Sequence, residues 1–418
     1  MEDVIAHYYF RPDTRTTPQE AAQAIAEEET TGTWTAITTR QEYVRRLDGI
    51  VESVEESGRG YLTAIRYPAE IFEPGNVPQY LSVVAGNLFG LGRLEAVRLT
   101  DIEFPESLVQ FHGPKFGIEG VRHLLGTRNR PHVGTIIKPK VGLTPPADTA
   151  LVAYEAASGG GVDFIKDDET LTNQAFCPMT ERVEAVMARL DEAKDETGRQ
   201  VLYAVNISDR ADRIVERAEE ALERGGANTL MVDVITCGYA ALEVLAEEPG
   251  ISVPIHVHRT MHAAMTRNPE HGIAMRPIAR LVRMMGGDQL HTGTVSGKMG
   301  HNAEELVLDN RVLTDPWFGF RPVFPVASGG LHPGKVHAEL ETLGTEIVLQ
   351  AGGGIHGHPD GTAAGARAMR QAVDAFLEGV SATEYATDHV ELERALKLWA
   401  HRNPFFIFFD RWEFYPPR

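Results

Sequence analysis

From about residue 113 onward, short β-type runs alternate with amphipathic helical stretches, and this cycle constrains the fold more than any other feature of the chain. The strand runs fall at 133–137, 162–165, 201–205, 229–232, 253–257, 288–291, 322–326 and 346–349, with helical patterns such as 180–196, 209–224 and 365–377 between them. Eight strand-then-helix units predict a closed (β/α)8 barrel of the TIM type rather than a doubly wound open sheet. The first 112 residues lack the cycle; 21–28 reads as helix, 61–67 and 96–100 as strands. The expected organisation is an α/β chain with a smaller N-terminal α+β domain over 1–112 and a barrel domain over 113–418. The barrel domain is expected to end in a helix at 390–401 and an aromatic tail, 405–415, packed onto the protein.

Apolar residues make up 43 % of the chain, enough for a sizeable core and outside the range of disordered sequences. Residues 1–10 have no basic start and no continuous apolar stretch, so no signal peptide is expected. No run of about 20 apolar residues suggests a membrane span. Two cysteines, Cys177 and Cys237, cannot form a disulfide framework and read as ordinary buried thiols. A soluble, cytoplasmic protein is expected. The net charge of −19 argues against nucleic acid as the main partner and reads chiefly as a solvated acidic surface. Only eight of the 40 basic residues are lysines. Acid-rich, lysine-poor composition suggests a salt-loving host, although a GC-rich genome gives the arginine bias alone. Four of the eight lysines, Lys138, Lys140, Lys166 and Lys298, nevertheless fall inside dense motifs.

In a barrel of this kind the active site forms where strands end and loops begin. Strand 1 ends in Lys138-Pro139-Lys140, strand 2 in Lys166-Asp167-Asp168-Glu169, and strand 5 in His256-Val257-His258-Arg259 with His262 one turn on. Strand 6 ends in His291-Thr292-Gly293-Thr294, followed by Gly297-Lys298. Strands 7 and 8 lead to Ser328-Gly329-Gly330 and Gly352-Gly353-Gly354. Lys166, Asp168 and Glu169 put two carboxylates beside an amine, either a surface ion-pair network or a site for Mg²⁺, which prefers hard oxygen donors. For a metal, the amine must be neutral or converted to an anion. Lys138 and Lys140 share one side of an extended strand, where mutual repulsion is expected to lower one pKa and prepare that lysine for proton transfer. Arg259, His291 and Ser328 can hold one phosphate, and the glycine turns let backbone N–H groups approach another. A cationic rim on an acidic protein suits a doubly anionic substrate.

These residues stand within long ordered motifs: GTIIKPKVGL, GGGVDFIKDDE, HVHRTMHAA, GGDQLHTGTVSGK, PVASGGLHPG and VLQAGGGIHGHPDG, with EETTGTWT at 28–35 and AGNLFG at 85–90. Over nearly its whole length the chain resembles the large subunit of ribulose bisphosphate carboxylase/oxygenase (RuBisCO), nearest the archaeal form III. The resemblance implies that CO₂ carbamylates Lys166, which then binds Mg²⁺ with Asp168 and Glu169. It implies that Lys138, with Lys140 beside it, protonates the carboxylated intermediate and that His258 serves proton transfer. Lys298 would stabilise the incoming carboxylate from a loop after strand 6. Arg259, His291 and Ser328 would form one phosphate site; Thr33, Trp34, Gly330, Gly352 and Gly353 the other. Glu28 and Asn87 match residues supplied by a neighbouring subunit, so the resemblance implies a homodimer or an assembly of dimers, without a small subunit. The implied reaction removes the C3 proton of ribulose 1,5-bisphosphate and adds CO₂ to the Mg²⁺-held enediolate, yielding two 3-phosphoglycerates, with O₂ in competition. Form III membership would suggest a role in nucleotide (AMP) salvage.

Two departures bear on the loop after strand 6. Its tip reads Gly297-Lys298-Met299-Gly300-His301 where the family usually has Gly-Lys-Leu-Glu-Gly, and the stretch 315–321 is shorter than family members normally show. The loss of the glutamate loosens the loop and removes a partner for its closure. A carboxylase accounts for the retained metal, base, loop-lysine and phosphate positions. The alternatives are a RuBisCO-like protein that enolises or otherwise converts another phosphorylated ketose or keto acid, and a non-catalytic binding or scaffolding protein.

Overall fold

The computed structural model describes residues 2–296 and 302–400. Lys298, the altered loop tip and the aromatic tail lie outside the described residues. Thirteen strands occur among those described. The N-terminal part contains β1 (Val4–Pro12), β2 (Ile50–Ser57), β3 (Gly60–Tyr67) and β4 (Leu94–Glu103). The later part contains β5 (His132–Ile136), β6 (Phe164–Lys166), β7 (Leu202–Asn206), β8 (Thr229–Asp233), β9 (Ile255–His258), β10 (Gly272–Ile273), β11 (Gln289–His291), β12 (Phe324–Ser328) and β13 (Val348–Gln350).

In β1 the alternation is strict: Val4, Ala6, Tyr8 and Phe10 are fully buried while their neighbours are half-exposed, as a strand with one face on a core requires. The helix Pro18–Glu28 covers that face with Ala21, Ala22 and Ile25. A capping box starts this helix, the Thr17 side chain accepting from the Glu20 backbone and Glu20 accepting from the Thr17 N–H. The sheet order is β10-β4-β1-β3-β2. Strand β10 comes from the barrel half of the chain and pairs in parallel with β4 through Gly272↔Arg98 and Ile273↔Leu99. A two-residue strand carries no periodic signal, so the sequence pattern does not reveal this tie between the two parts.

The other eight strands close into a parallel barrel, with β13 pairing back onto β5 through His132↔Val348. All eight expected runs coincide with these strands to within two residues. The N-terminal mouth of the barrel is filled with apolar side chains. Ile118, Val121 and Leu125 of the helix Gly117–Leu125 pack there with Phe164, Leu202, Met231 and Phe324. Each fully buried side chain of this size contributes roughly 1.5–3 kcal/mol. The expected helix over 209–224 begins five residues late, at Ile214, and its last turn, Glu220–Arg224, is a π-helix. Asp209 is held outside it by two bonds from Arg217, at 3.0 and 3.2 Å. No helix among the described residues is long and apolar enough to cross a membrane.

Candidate active site

The C-terminal mouth is polar. Lys166 ends β6, and its side chain is completely buried. The Nζ donates to the Asp167 carbonyl at 2.8 Å and contacts Met231 Sδ at 3.5 Å. Burial is the main force on this amine; with Lys138 nearby it outweighs the attraction of Glu169 and Asp168 and brings the pKa down to about 8. The turn that carries Asp168 and Glu169 is braced by Asp167. Its carboxylate takes Arg182 Nη2 at 3.0 Å, Tyr203 Oη at 2.5 Å and the Asn206 N–H at 3.1 Å, all buried.

Lys138 Nζ lies 2.6 Å from Asp168 Oδ2, and Lys140 Nζ lies 3.3 Å from Glu169 Oε1 and 4.0 Å from Asp168 Oδ1. The sequence expectation for this lysine pair is corrected in two respects. Both residues lie beyond β5, which stops at Ile136, so they do not share a face of an extended strand. Lys140 is raised, because Asp168 and Glu169 outweigh the opposing effect of burial. The amine brought down is Lys166, where solvent is excluded.

His258 Nδ1 is 3.0 Å from Asp233 Oδ2, so the carboxylate holds a proton on Nδ1, and Nε2 faces Glu169 Oε2, 4.0 Å away. Burial, and then Lys166, lowers the His258 pKa against the pull of Asp233 and Glu169. Glu169 sits at about 2, since its own backbone N–H, His258, Lys166 and Lys140 overcome the cost of burial. Arg259, buried, donates from Nε to the His291 carbonyl, and His291 Nδ1 meets Ser328 Oγ at 2.6 Å. These three line one cavity of 290 Å³ with Glu169, His258 and Gly329. Behind them runs a chain that sequence reasoning left incomplete: Gln289 Oε1 to His256 Nδ1 at 2.8 Å, and His256 Nε2 to His291 Nε2 at 2.8 Å. With Gln289 accepting, every proton in the chain is assigned, and Ser328 donates to His291. The partner of a buried histidine has no local sequence signature, although Gln289 begins β11 two residues before His291.

Gly352 lies against Lys138, where a Cβ would sit 3.1 Å from the lysine Cε. Gly330 has φ +85°, a conformation in which side chains are strained. Glu28, Thr33 and Trp34 share a separate cavity of 240 Å³ on the N-terminal part, where Trp34 is 86 % exposed. Asn87 follows Gly86, whose N–H donates to Glu29 Oε2 at 2.9 Å. Within one chain, then, Thr33 and Trp34 line a different cavity from the barrel-rim residues of the first phosphate group.

The donor set suits Mg²⁺. Asp168 and Glu169 offer carboxylate oxygens beside ammonium groups, and the third position is a buried amine whose charge is disfavoured. Carboxylates for a cation, a histidine held by an aspartate and a buried arginine at the C-terminal mouth of a parallel barrel define a barrel enzyme whose site suits an anionic substrate. The profile of the ribulose bisphosphate carboxylase large chain matches residues 117–399 by its catalytic domain and residues 1–108 by its N-terminal domain. The chain belongs to the ribulose bisphosphate carboxylase large-chain family. It is 44 % identical over 405 residues to the ribulose bisphosphate carboxylase of Pyrococcus furiosus, covering 96 % of each chain. The crystal structure of octameric ribulose-1,5-bisphosphate carboxylase/oxygenase from Pyrococcus horikoshii superposes with a TM-score of 0.90 at 42 % identity, over 96 % of this chain and 94 % of that one. A rubisco-like protein from Burkholderia fungorum shares the fold at a TM-score of 0.85 but at 31 % identity, over 95 % of this chain and 100 % of that one.

Proposed function

We propose that this protein is an archaeal-type ribulose-1,5-bisphosphate carboxylase with a competing oxygenase reaction, working as a homodimer or larger homo-oligomer without a small subunit. The observation that carries the reading is Lys166: a fully buried amine near pKa 8, beside Asp168 and Glu169, in a chain of this family. The neutral amine attacks CO₂, forming an N–C bond and releasing one proton, and the resulting carbamate is an anionic oxygen donor. With Asp168 and Glu169 it would hold Mg²⁺, whose charge stabilises the negative oxygens that develop on the substrate.

His258, fixed by Asp233, is assigned the proton transfers through Nε2, including uptake of the proton that leaves C3. CO₂ then adds at C2, water adds at C3, and the C2–C3 bond breaks to give two 3-phosphoglycerates. Lys138, paired with Asp168, is assigned protonation of the new C2 carbanion, with Lys140 beside it. Lys298 is assigned the incoming carboxylate. Arg259, His291 and Ser328 take one phosphate; Gly330, Gly352 and Gly353 with Thr33 and Trp34 take the other. The exposed cavity of Glu28, Thr33 and Trp34, with Asn87, completes the barrel site of a second subunit. The reading carries with it a domain boundary at residues 112 and 113, a cytoplasmic location and a place in nucleotide salvage.

The test is incorporation of radiolabelled CO₂ into acid-stable product from ribulose 1,5-bisphosphate, after preincubation with bicarbonate and Mg²⁺ at low and high salt. Labelled 3-phosphoglycerate is expected, and Lys166→Ala is expected to abolish it. Exchange of the C3 proton without any label would replace the reading with an enolising enzyme.

A further inference from the structure

Strand β11 is followed by buried Thr292 and Thr294 and then by Val295 and Ser296, the last described residues before Lys298. The N–H groups of Val295 and Ser296 and the hydroxyl of Ser296 converge on one carboxylate. Glu339 Oε2 accepts from Val295 N at 2.9 Å; Oε1 accepts from Ser296 N at 2.7 Å and from Ser296 Oγ at 2.7 Å. Lys335 Nζ donates to the Ser296 carbonyl from the other side. Glu339 belongs to the helix Val336–Leu343, which follows β12, and Lys335 stands four residues earlier, at its N-cap.

Glu339 is fully buried, and a buried carboxylate is retained only where hydrogen bonds replace its water. All three bonds it accepts come from these two residues. The helix thereby holds the N–H, the C=O and the side chain of Ser296 at once. An apolar side chain at 339 would leave the Val295 and Ser296 N–H groups without these acceptors.

We propose that Glu339, assisted by Lys335, is a positioning residue for the carboxylation step: it fixes the chain where it leaves β11, two residues before Lys298. The assignment rests on the role given to Lys298 under the proposed function. The loop lysine acts on the incoming CO₂, after the C3 proton has gone, so loosening its anchor affects carboxylation and spares enolisation.

The experiment compares two rates in the assembled, Mg²⁺- and CO₂-activated enzyme: C3-proton exchange of ribulose 1,5-bisphosphate with solvent, and carboxylation. Glu339→Gln keeps the shape but turns an NH₂ toward N–H donors. It is expected to lower the ratio of carboxylation to exchange by roughly tenfold or more, the scale of a misplaced catalytic group, with a shifted CO₂/O₂ preference. Lys335→Met and Ser296→Ala each remove one contact while keeping the carboxylate, and are expected to shift the ratio the same way by less. They decide the matter if Glu339→Gln does not fold. An unchanged ratio, or two rates falling in proportion, would overturn the assignment. A wild-type enzyme that neither exchanges nor carboxylates would remove the proposed function first and this inference with it.

Discussion

Asp163, immediately before β6, gathers three arginines at the end of the strand opposite Lys166. Arg130 bonds it through both oxygens at 2.6 and 2.8 Å, Arg370 reaches Oδ2 at 2.5 Å, and Arg199 reaches Oδ1 at 3.2 Å. The Val133 N–H adds a fifth bond at 3.0 Å, tying β5 to β6. Burial pushes this carboxyl up, and the guanidinium groups reverse that and hold it well below the usual range. Asp163→Asn keeps the shape, removes the charge and leaves Arg130 and Arg370 without the carboxylate they bond directly, with only the charge of Asp374 nearby. Arg199, which is 37 % exposed, contributes little because solvent screens it. Breaking a buried pair on one side costs about 3–5 kcal/mol. At about 2.1 cal/mol/K of unfolding entropy per residue, a barrel of roughly 300 residues shifts by roughly 1.6 °C per kcal/mol, so the melting temperature falls by about 5–8 °C at neutral pH. The folded-state pKa is depressed, so the stabilisation is present above the ordinary aspartate value and is lost as pH falls through the folded one. The gap between wild type and variant therefore narrows in acid. Calorimetry from neutral pH downward measures this, alongside turnover per folded molecule, which is expected to hold. A loss under about 3 °C, or a gap that widens in acid, refutes the argument.

Two further outcomes are expected. If Glu28 serves a neighbouring barrel, inactive Glu28→Gln and inactive Lys166→Ala protomers, unfolded and refolded together, regain about a quarter of wild-type carboxylation. Half the dimers are then mixed and each has one intact site of two; no recovery places Glu28 in its own chain's site. Glu29 is buried, its Oε1 has no partner among the described residues, and burial raises its carboxyl to about 7. The raised value means its stabilisation is complete below the ordinary glutamate pKa and lost as pH rises through about 7, so Glu29→Gln should gain on wild type by about 1–3 kcal/mol between pH 5.5 and 8.5; parallel melting curves at the two pH values refute it.

The barrel was legible because its signal is local. A buried parallel strand must be apolar over a few residues and its covering helix amphipathic over a few turns, and both patterns lie in contiguous sequence. The candidate metal residues were legible for the same reason, since Lys166, Asp168 and Glu169 leave one strand end together. The phosphate group Arg259, His291 and Ser328 was legible only as separate motifs, each at a strand terminus, and barrel closure brought them to one cavity.

Tertiary structure alone decided the rest. The β10 pairing with β4 joins residues far apart in sequence through two residues with no pattern. Arg370 reaches Asp163 across 207 positions, and Glu339 reaches Ser296 across 43. Nothing in a helical glutamate's neighbours announces a burial partner that distant. The titration of the lysines belongs here too. From sequence, one of Lys138 and Lys140 was expected to be the depressed amine. The fold instead gives Lys140 the Asp168 and Glu169 carboxylates and encloses Lys166 beyond the reach of water. Sequence determines which charges a chain possesses and which faces it buries; the distances between charges, and the solvent left around each, exist only once the barrel has closed.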